Sequence, residues 1–147
     1  MNIRTRIQEA GLELPSPSPA AKFDFAVVVN GLLYSAGAGS RTKGTVGEDL
    51  TVAEGYSAAQ EAGLQLLANI ETRIGSLDKI LGLVKVTCMV NSAPDFSDQP
   101  QVANGFTELM LVCFGEEAGR HARTAVGVAS LPGGIAVEVE LVAEVSE

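Results

Sequence analysis

Apolar residues recur every three or four positions over residues 52–74, and this spacing predicts an amphipathic helix. Thr51 and Glu54 stand at its start with the spacing of a capping box, in which each side chain accepts a hydrogen bond from the other residue's backbone N–H. Gly75 follows the last apolar position, as is typical of a helix end. The pattern therefore indicates one long helix with a buried face.

A second helix is predicted between Asp95 and Phe114. Val102 and Phe106 belong to an apolar stripe with helical spacing in this segment. Pro100 fits the first turn, where its missing N–H costs nothing, and Gly115 is the expected end.

The remaining apolar runs are short or alternate with polar residues, which is typical of strands. The predicted strands are Phe25–Val29, Leu32–Ala36, Leu81–Val90, Arg123–Leu131 and Ile135–Val145. Asn30-Gly31 predicts a type I′ hairpin turn between the first two, because both residues tolerate a positive φ. A flexible loop is expected from Gly37 to Asp49, and Pro132-Gly133-Gly134 resembles a local hairpin turn. This order predicts an α+β domain with two helices on one face of a sheet, and association of subunits would cover the other face.

The first 22 residues differ in character from the rest. Apolar positions at Ile3 and Ile7 suggest a weak helical stripe within Met1–Ala10, which Gly11 would end. The prolines that follow, Pro15, Pro17 and Pro19, favour an extended segment. We therefore predict an N-terminal arm and linker over residues 1–22 and one domain over residues 23–147.

Charge and composition narrow the classes of function. The 10 Lys and Arg residues and the 18 Asp and Glu residues give a formal net charge of −8, which repels nucleic-acid phosphates and anionic membrane surfaces. Apolar residues make up 46% of the 147 residues, so some apolar surface is expected between subunits.

The sequence also suggests a compartment. No secretory leader and no apolar run of membrane-spanning length stands out, so we expect a cytoplasmic protein. Cys88 and Cys113 are then expected to be buried free thiols. One histidine without a cysteine cluster argues against a zinc site.

Four polar residues are candidates for chemistry. Arg123, at the mouth of a strand, is suited to clamp a carboxylate, and the alternative is an ordinary surface arginine. Glu138 is suited to hold water or move a proton, and the alternative is a solvated strand face. His121 is expected to be a loop residue with a raised pKa rather than a catalytic base, and Asn104 is expected at the surface because it lies off the apolar stripe.

Several segments resemble one known family. The C-terminal residues Ala122-Arg123-Thr124-Ala125-Val126, Leu131-Pro132 and Val137-Glu138-Val139-Glu140 are similar to the signature of the RidA/YjgF family of reactive-intermediate imine deaminases. Asn30–Gly37 resembles its N-terminal strand pair, and Val84–Val90 with Asp95-Phe96 resembles its middle strand and helix start. The resemblance covers roughly residues 23–145 and has the character of a divergent branch.

The resemblance implies a chorismate-mutase-like fold with a mixed β-sheet, assembled as a homotrimer around a central β-barrel. It also implies that the last strand inserts between earlier strands, so that Pro132-Gly133-Gly134 begins a crossover instead of a hairpin.

The implied activity is hydrolysis of enamines and imines of the 2-aminoacrylate type to 2-keto acids and ammonia, without a metal or cofactor. The site would lie between subunits, with Arg123 gripping the substrate carboxylate and Glu138 positioning water. Asn104, Gly37 and the backbone of Ala125 match further ligand-facing positions of the family. The expected ligand is a small anionic imine or 2-keto acid.

Three positions depart from the family pattern. Phe23 replaces a frequent tyrosine, Ala36 a frequent serine and Ala125 a frequent cysteine. A trimer that binds small carboxylates without turnover and regulates a partner is therefore the alternative reading. A third reading, endoribonuclease or translation inhibitor, is disfavoured by the net charge of −8.

Overall fold

A computed structural model describes residues 2–147, and it contains three α-helices, six strands and two 3₁₀ turns. In chain order the helices and strands are α1 (Ile3–Glu9), β1 (Ala26–Val29), β2 (Leu32–Ser35), β3 (Ala38–Gly39), α2 (Val52–Ile74), β4 (Ile80–Asn91), α3 (Gln99–Gly119), β5 (Ala122–Val128) and β6 (Val137–Val145). The 3₁₀ turns are Leu77–Lys79 and Pro132–Gly134. The predicted α+β class is confirmed.

All six strands form one mixed sheet in the order β1-β2-β6-β4-β5, and β3 pairs with β6. β4 and β5 are parallel, with α3 as the crossover between them, and the remaining pairs are antiparallel. β6 lies between β2 and β4, which confirms the insertion implied by the resemblance. The local hairpin reading of Pro132–Gly134 is wrong because β5 and β6 are not neighbours.

The predicted hairpin turn is present, but the predicted flexible loop after β2 is not. Asn30 and Gly31 have φ of 52° and 77°, as a type I′ turn requires. Residues 38–39 form β3, and the hydroxyl of buried Ser40 accepts hydrogen bonds from the N–H groups of Ala136 and Val137. Sequence patterns missed this order because it comes from pairing with the end of the chain.

Both long helices begin as predicted. The capping box of Thr51 and Glu54 is formed, and Gly75 ends α2 with φ of 89°. α3 has Pro100 in its first turn. Gly115 interrupts its regular geometry with φ of 83°, although the helix continues to Gly119, beyond the predicted end.

The core lies between the sheet and the helices. Alternate residues of β4 and β6, such as Val86, Cys88 and Val139, are fully buried against α2 and α3. The opposite sheet face has no cover within residues 2–147, and Tyr34 and Val126 are exposed there by 49% and 38%. These exposed apolar side chains on an open face agree with the apolar excess of the composition, while the trimer stays a prediction.

The N-terminal helix packs into the same core, through buried Ile3 and Ile7. The two chain ends bind the same 3₁₀ turn: the Ile3 N–H donates to Asp78 at 2.9 Å, and the Ser146 N–H donates to the Lys79 carbonyl at 2.9 Å. Met1, part of the predicted helical stripe, lies outside the described residues. The division into an arm of residues 1–22 and a domain of residues 23–147 stays a prediction.

None of the helices within residues 2–147 combines the length and the apolar character needed to cross a bilayer.

Candidate active site

Arg123 lies on β5, an edge strand of the sheet, and its half-buried side chain reaches α3. Its Nη1 donates to Asn104 Oδ1 at 2.8 Å and to Thr107 Oγ1 at 3.1 Å. Asn104 is therefore half-buried and bonded to Arg123, so the expectation that it lies at the surface is wrong.

The rest of the guanidinium has no protein partner within the described chain. Nε and Nη2 make no hydrogen bond there, and Arg123 forms no ion pair with an Asp or Glu of residues 2–147. Three N–H donors therefore stay available, and two of them, one on Nε and one on Nη2, lie along one edge. Their planar geometry matches the two oxygens of a carboxylate.

Thr107 was not identified from the sequence as a site residue. It lies three positions after Asn104 on α3, so both side chains project from the same side of the helix towards Arg123. That spacing is the signal that would have found it.

His121 lies between α3 and β5, as a loop residue should, but its pKa is lowered and not raised. Burial lowers the pKa most, and the positive charge of Arg123 lowers it further, while the bond to the Gly119 carbonyl acts the other way. Acidic neighbours in the sequence suggested the opposite direction, but burial is the larger effect. The imidazole is therefore neutral at pH 7.

Ala125 follows Arg123 on the same face of β5, partly buried against the core. Its register partner on β4 is Cys88, whose thiol is fully buried. Burial raises the pKa of Cys88 to about 12, although the positive charge of Arg123 acts in the opposite direction. Burial also raises the pKa of Cys113 to about 12, so both predicted buried free thiols are confirmed.

Glu138 belongs to a second group of site residues, at the other side of the sheet. Its half-buried side chain projects from β6, and burial, followed by repulsion from Glu140, raises its pKa. Gly37, between β2 and β3, lies against it so closely that a Cβ at position 37 would collide with the carboxylate. The observed position of the Glu138 carboxylate therefore requires a glycine at position 37.

Phe23 precedes β1 and is 63% exposed, with its ring edge-on to Phe25 at 6.2 Å. The Phe25 carbonyl accepts from the N–H of Ala36, the residue before Gly37. Phe23 thus precedes a segment that pairs with the residue before Gly37.

The two groups lie on opposite faces of the sheet. Arg123 is the register partner of Val86, which faces the helices, whereas Glu138 is the partner of Met89, three residues further along β4. Side chains alternate between faces along a strand, so an odd separation reverses the face. Two strand spacings, about 10 Å, also separate β5 from β6. One chain cannot present both side chains to one small ligand.

A sizeable cavity also lies away from both groups. It has a volume of about 790 Å³ and lies between the N-terminal arm and α2, lined by residues such as Leu12, Arg41 and Glu61. Residues 2–147 contain no cluster of three or more His, Cys, Asp or Glu side chains suited to a metal ion.

Comparison of the sequence and the fold with known proteins shows the family of this chain. The sequence profile described as Endoribonuclease L-PSP matches residues 14–145. TCP17, a protein of Trypanosoma cruzi, is 40% identical over 151 residues, covering 98% of this chain and 94% of that protein.

Two solved structures share the whole fold. Atu1372 of Agrobacterium tumefaciens, a protein of unknown function, is 34% identical with a TM-score of 0.89, covering 97% of this chain and 91% of that one. A proposed endoribonuclease from Shewanella oneidensis is 29% identical with a TM-score of 0.93, and the match covers 99% of this chain and 100% of that one. The chain therefore belongs to the Endoribonuclease L-PSP family, also called the RidA/YjgF family, as a divergent member.

Proposed function

We propose that this protein hydrolyses small enamines and imines that carry a carboxylate to 2-keto acids and ammonia. The observation that supports this most directly is the free edge of Arg123. Asn104 and Thr107 occupy Nη1, no carboxylate of residues 2–147 neutralises the charge, and Nε and Nη2 remain as a fork for an anion. A half-buried guanidinium arranged in this way binds a substrate carboxylate and fixes its orientation.

We further propose that three copies of the chain form a homotrimer with a site at each interface. Arg123, Asn104 and Ala125 of one subunit would supply the carboxylate clamp, and Glu138, Gly37 and Phe23 of a neighbour would supply the opposite wall. The separation of these groups on opposite sheet faces and the apolar side chains exposed on the uncovered face support this assembly.

The chemistry requires one water and a single carboxylate. Glu138 accepts a proton from water as the oxygen attacks the imine carbon, which forms a C–O bond and moves the π electrons to nitrogen. The same proton then goes to nitrogen, which gives a carbinolamine. Glu138 next takes the proton of the new hydroxyl group and passes it to nitrogen, so that the C–N bond breaks, ammonia leaves and the carbonyl of the keto acid forms. An enamine first takes a proton on carbon and loses one from nitrogen, which converts it to the imine. The raised pKa of Glu138 suits a group that both accepts and returns a proton.

The test follows the decay of an imine generated in situ by an amino-acid oxidase, with the imine trapped as its semicarbazone. The wild-type protein should lower the trapped fraction, and Arg123→Ala should lower the rate by about 100-fold, which is the upper range for losing hydrogen bonds to a charged group. Arg120→Ala is the matched control, because Arg120 is an exposed arginine whose side chain pairs, among residues 2–147, only with Glu116. Equal decay with wild-type protein and with buffer would refute the proposed activity.

A second candidate is a trimer that binds small carboxylates and does not turn them over. The apolar residues Phe23, Ala36 and Ala125 favour it. They stand where the family pattern often has hydroxyl or thiol groups, which a reacting water or substrate could use. Calorimetric binding of 2-oxobutanoate at Arg123 without imine hydrolysis would favour this candidate over the enzyme.

A further inference from the structure

The only histidine of the chain ends a line of hydrogen bonds that begins at Arg123. Arg123 Nη1 lies 3.1 Å from Thr107 Oγ1, and Thr107 Oγ1 lies 3.0 Å from His121 Nε2. The other ring nitrogen, Nδ1, lies 2.7 Å from the Gly119 carbonyl oxygen. The line joins the anion-binding guanidinium to the connection between α3 and β5.

The direction of each hydrogen bond follows from the chemistry of its ends. A carbonyl oxygen only accepts, so His121 Nδ1 carries the hydrogen that bonds to Gly119. In the neutral ring Nε2 then has a lone pair and accepts, so the Thr107 hydroxyl donates to it. With its hydrogen committed to His121, Thr107 Oγ1 presents its lone pairs to Arg123 Nη1.

The surroundings of His121 favour this neutral ring. The ring of Phe106 lies edge-on to it at 6.2 Å, on the α3 side. Arg123, from β5, is the charged group whose field reaches the imidazole, and together with burial it lowers the pKa of His121. The neutral Nδ1–H form is therefore the resting state.

We propose that Thr107 and His121 are positioning residues of the Arg123 anion site: they fix the rotation of the guanidinium so that Nε and Nη2, and not Nη1, face the incoming carboxylate. The proposal rests on the proposed function, because it assumes that a carboxylate binds at Arg123. Asn104 holds Nη1 from one direction and Thr107 from another, so the plane of the guanidinium is defined only with both. Without His121, the Thr107 hydroxyl is free to turn its hydrogen towards a helix carbonyl, and its orientation relative to Arg123 is no longer set.

Calorimetry of pyruvate binding measures how much the Thr107–Arg123 and His121–Thr107 hydrogen bonds contribute to affinity. Pyruvamide, which lacks the carboxylate, corrects for protein contacts to the rest of the ligand. Thr107→Val keeps the shape of the side chain and should weaken pyruvate binding about tenfold, the value of one hydrogen bond to a charged group. Thr107→Ser should restore it. His121→Ala should weaken binding about threefold to tenfold, whereas His121→Gln should restore it, because the Gln Oε1 reaches the position of Nε2 and accepts.

Thr72→Val is the matched control for folding. Thr72 also lies on a long helix, and its hydroxyl donates to the Ala68 carbonyl one turn earlier, with no bond to the site. Pyruvate affinity should be unchanged in this variant. Thermal melting of every variant separates loss of binding from loss of structure.

The single histidine gives a second measurement that needs no ligand. The imidazole ¹⁵N spectrum contains signals of His121 alone and should show the Nδ1–H form at pH 7. Thr107→Val should shift the Nε2 signal because its donor is gone, and Thr107→Ser should not. Pyruvate should move the ring signals of the wild-type protein, whereas pyruvamide should leave them in place.

The outcomes separate the two proposals. If wild-type protein binds pyruvate and the folded Thr107→Val and His121→Ala variants bind it equally well, the positioning role is wrong and the anion site stands. An Nε2–H resting form of His121 also overturns the positioning role. If wild-type protein binds no pyruvate, the anion site and the positioning role fall together.

Discussion

Arg123 and Glu138 project from opposite faces of the same sheet, with two strand spacings between their strands. Each has its own supporting residues: Asn104 and Thr107 hold the arginine, and Gly37 leaves room for the glutamate. One polypeptide thus carries two separate halves of the proposed site.

Mixing two inactive variants tests whether subunits share sites. Arg123→Ala and Glu138→Gln subunits, unfolded and refolded together in equal amounts, should recover about a quarter of wild-type activity, because one interface in four then combines an intact arginine with an intact glutamate. Imine decay measures the recovery, and each variant refolded alone is the control. Activity no greater than the mean of the two variants would contradict a shared site.

Glu138→Gln should raise stability at pH 7 while it abolishes hydrolysis. Burial and Glu140 raise the pKa of Glu138, so the folded protein binds this proton more tightly than the unfolded chain does. The contribution of Glu138 to the free energy of unfolding is therefore fully present below its ordinary pKa of 4.5. This contribution is lost as the pH rises through the raised pKa of the folded protein. Urea unfolding should show the variant as the more stable form at pH 7 and the difference should disappear near pH 4. Equal stability at both pH values would contradict the raised pKa.

Gly37→Ala should impair catalysis more than folding. The new methyl group would displace the Glu138 carboxylate, the end of a side chain that has room to move. We expect imine hydrolysis to fall about tenfold or more, since small misplacements of reacting groups are costly. Gly82→Ala is the control, because a Cβ there meets nothing closer than 3.8 Å. Full activity in Gly37→Ala would show that the position of Glu138 is not critical.

Gly105→Ala should destabilise the protein by about 1–3 kcal/mol or more through overpacking. A Cβ at position 105 would collide with the backbone of Tyr56 on α2, which can move only with the whole helix. Gly63→Ala meets only the ends of the Leu109 and Phe106 side chains, at 2.8 and 2.9 Å, so its loss should be smaller. Urea unfolding ranks the two variants, and a larger loss for Gly63→Ala would contradict this picture of the helix contact.

Cys88 and Cys113 should resist a thiol reagent in the folded protein. Both are fully buried, and burial raises both pKa values to about 12, so the reactive thiolate is scarce at pH 8. Ellman's reagent should label neither thiol until a denaturant is added, after which two thiols per chain should react. Rapid labelling of the native protein would show that the core opens readily.

Local patterns predicted the features that depend on local physics. The capping box of Thr51 and Glu54 and the turn at Asn30-Gly31 involve residues a few positions apart, and both are formed. Periodicity placed α2 with its observed ends because one face of that helix is buried. Resemblance to a family, and not periodicity, predicted the insertion of β6.

Features that depend on distant parts of the chain were not visible in the sequence. β3 exists because it pairs with β6, a hundred residues later. The pKa of His121 follows from burial beside Phe106 and Arg123, which a local pattern of acidic neighbours does not reveal. Arg123 and Glu138 were identified as a pair, but their opposite faces emerge only from the register of β4 with both neighbours.

The 3₁₀ turn at Leu77–Lys79 has a practical consequence, because the start and the end of the polypeptide both bind to it, at Asp78 and Lys79. A short linker can therefore join Glu147 to Asn2 without crossing the sheet. New termini opened at Gly133 and Gly134, where a Cβ would meet open space, would leave every strand intact. Such a circular permutant should fold with unchanged strand pairing.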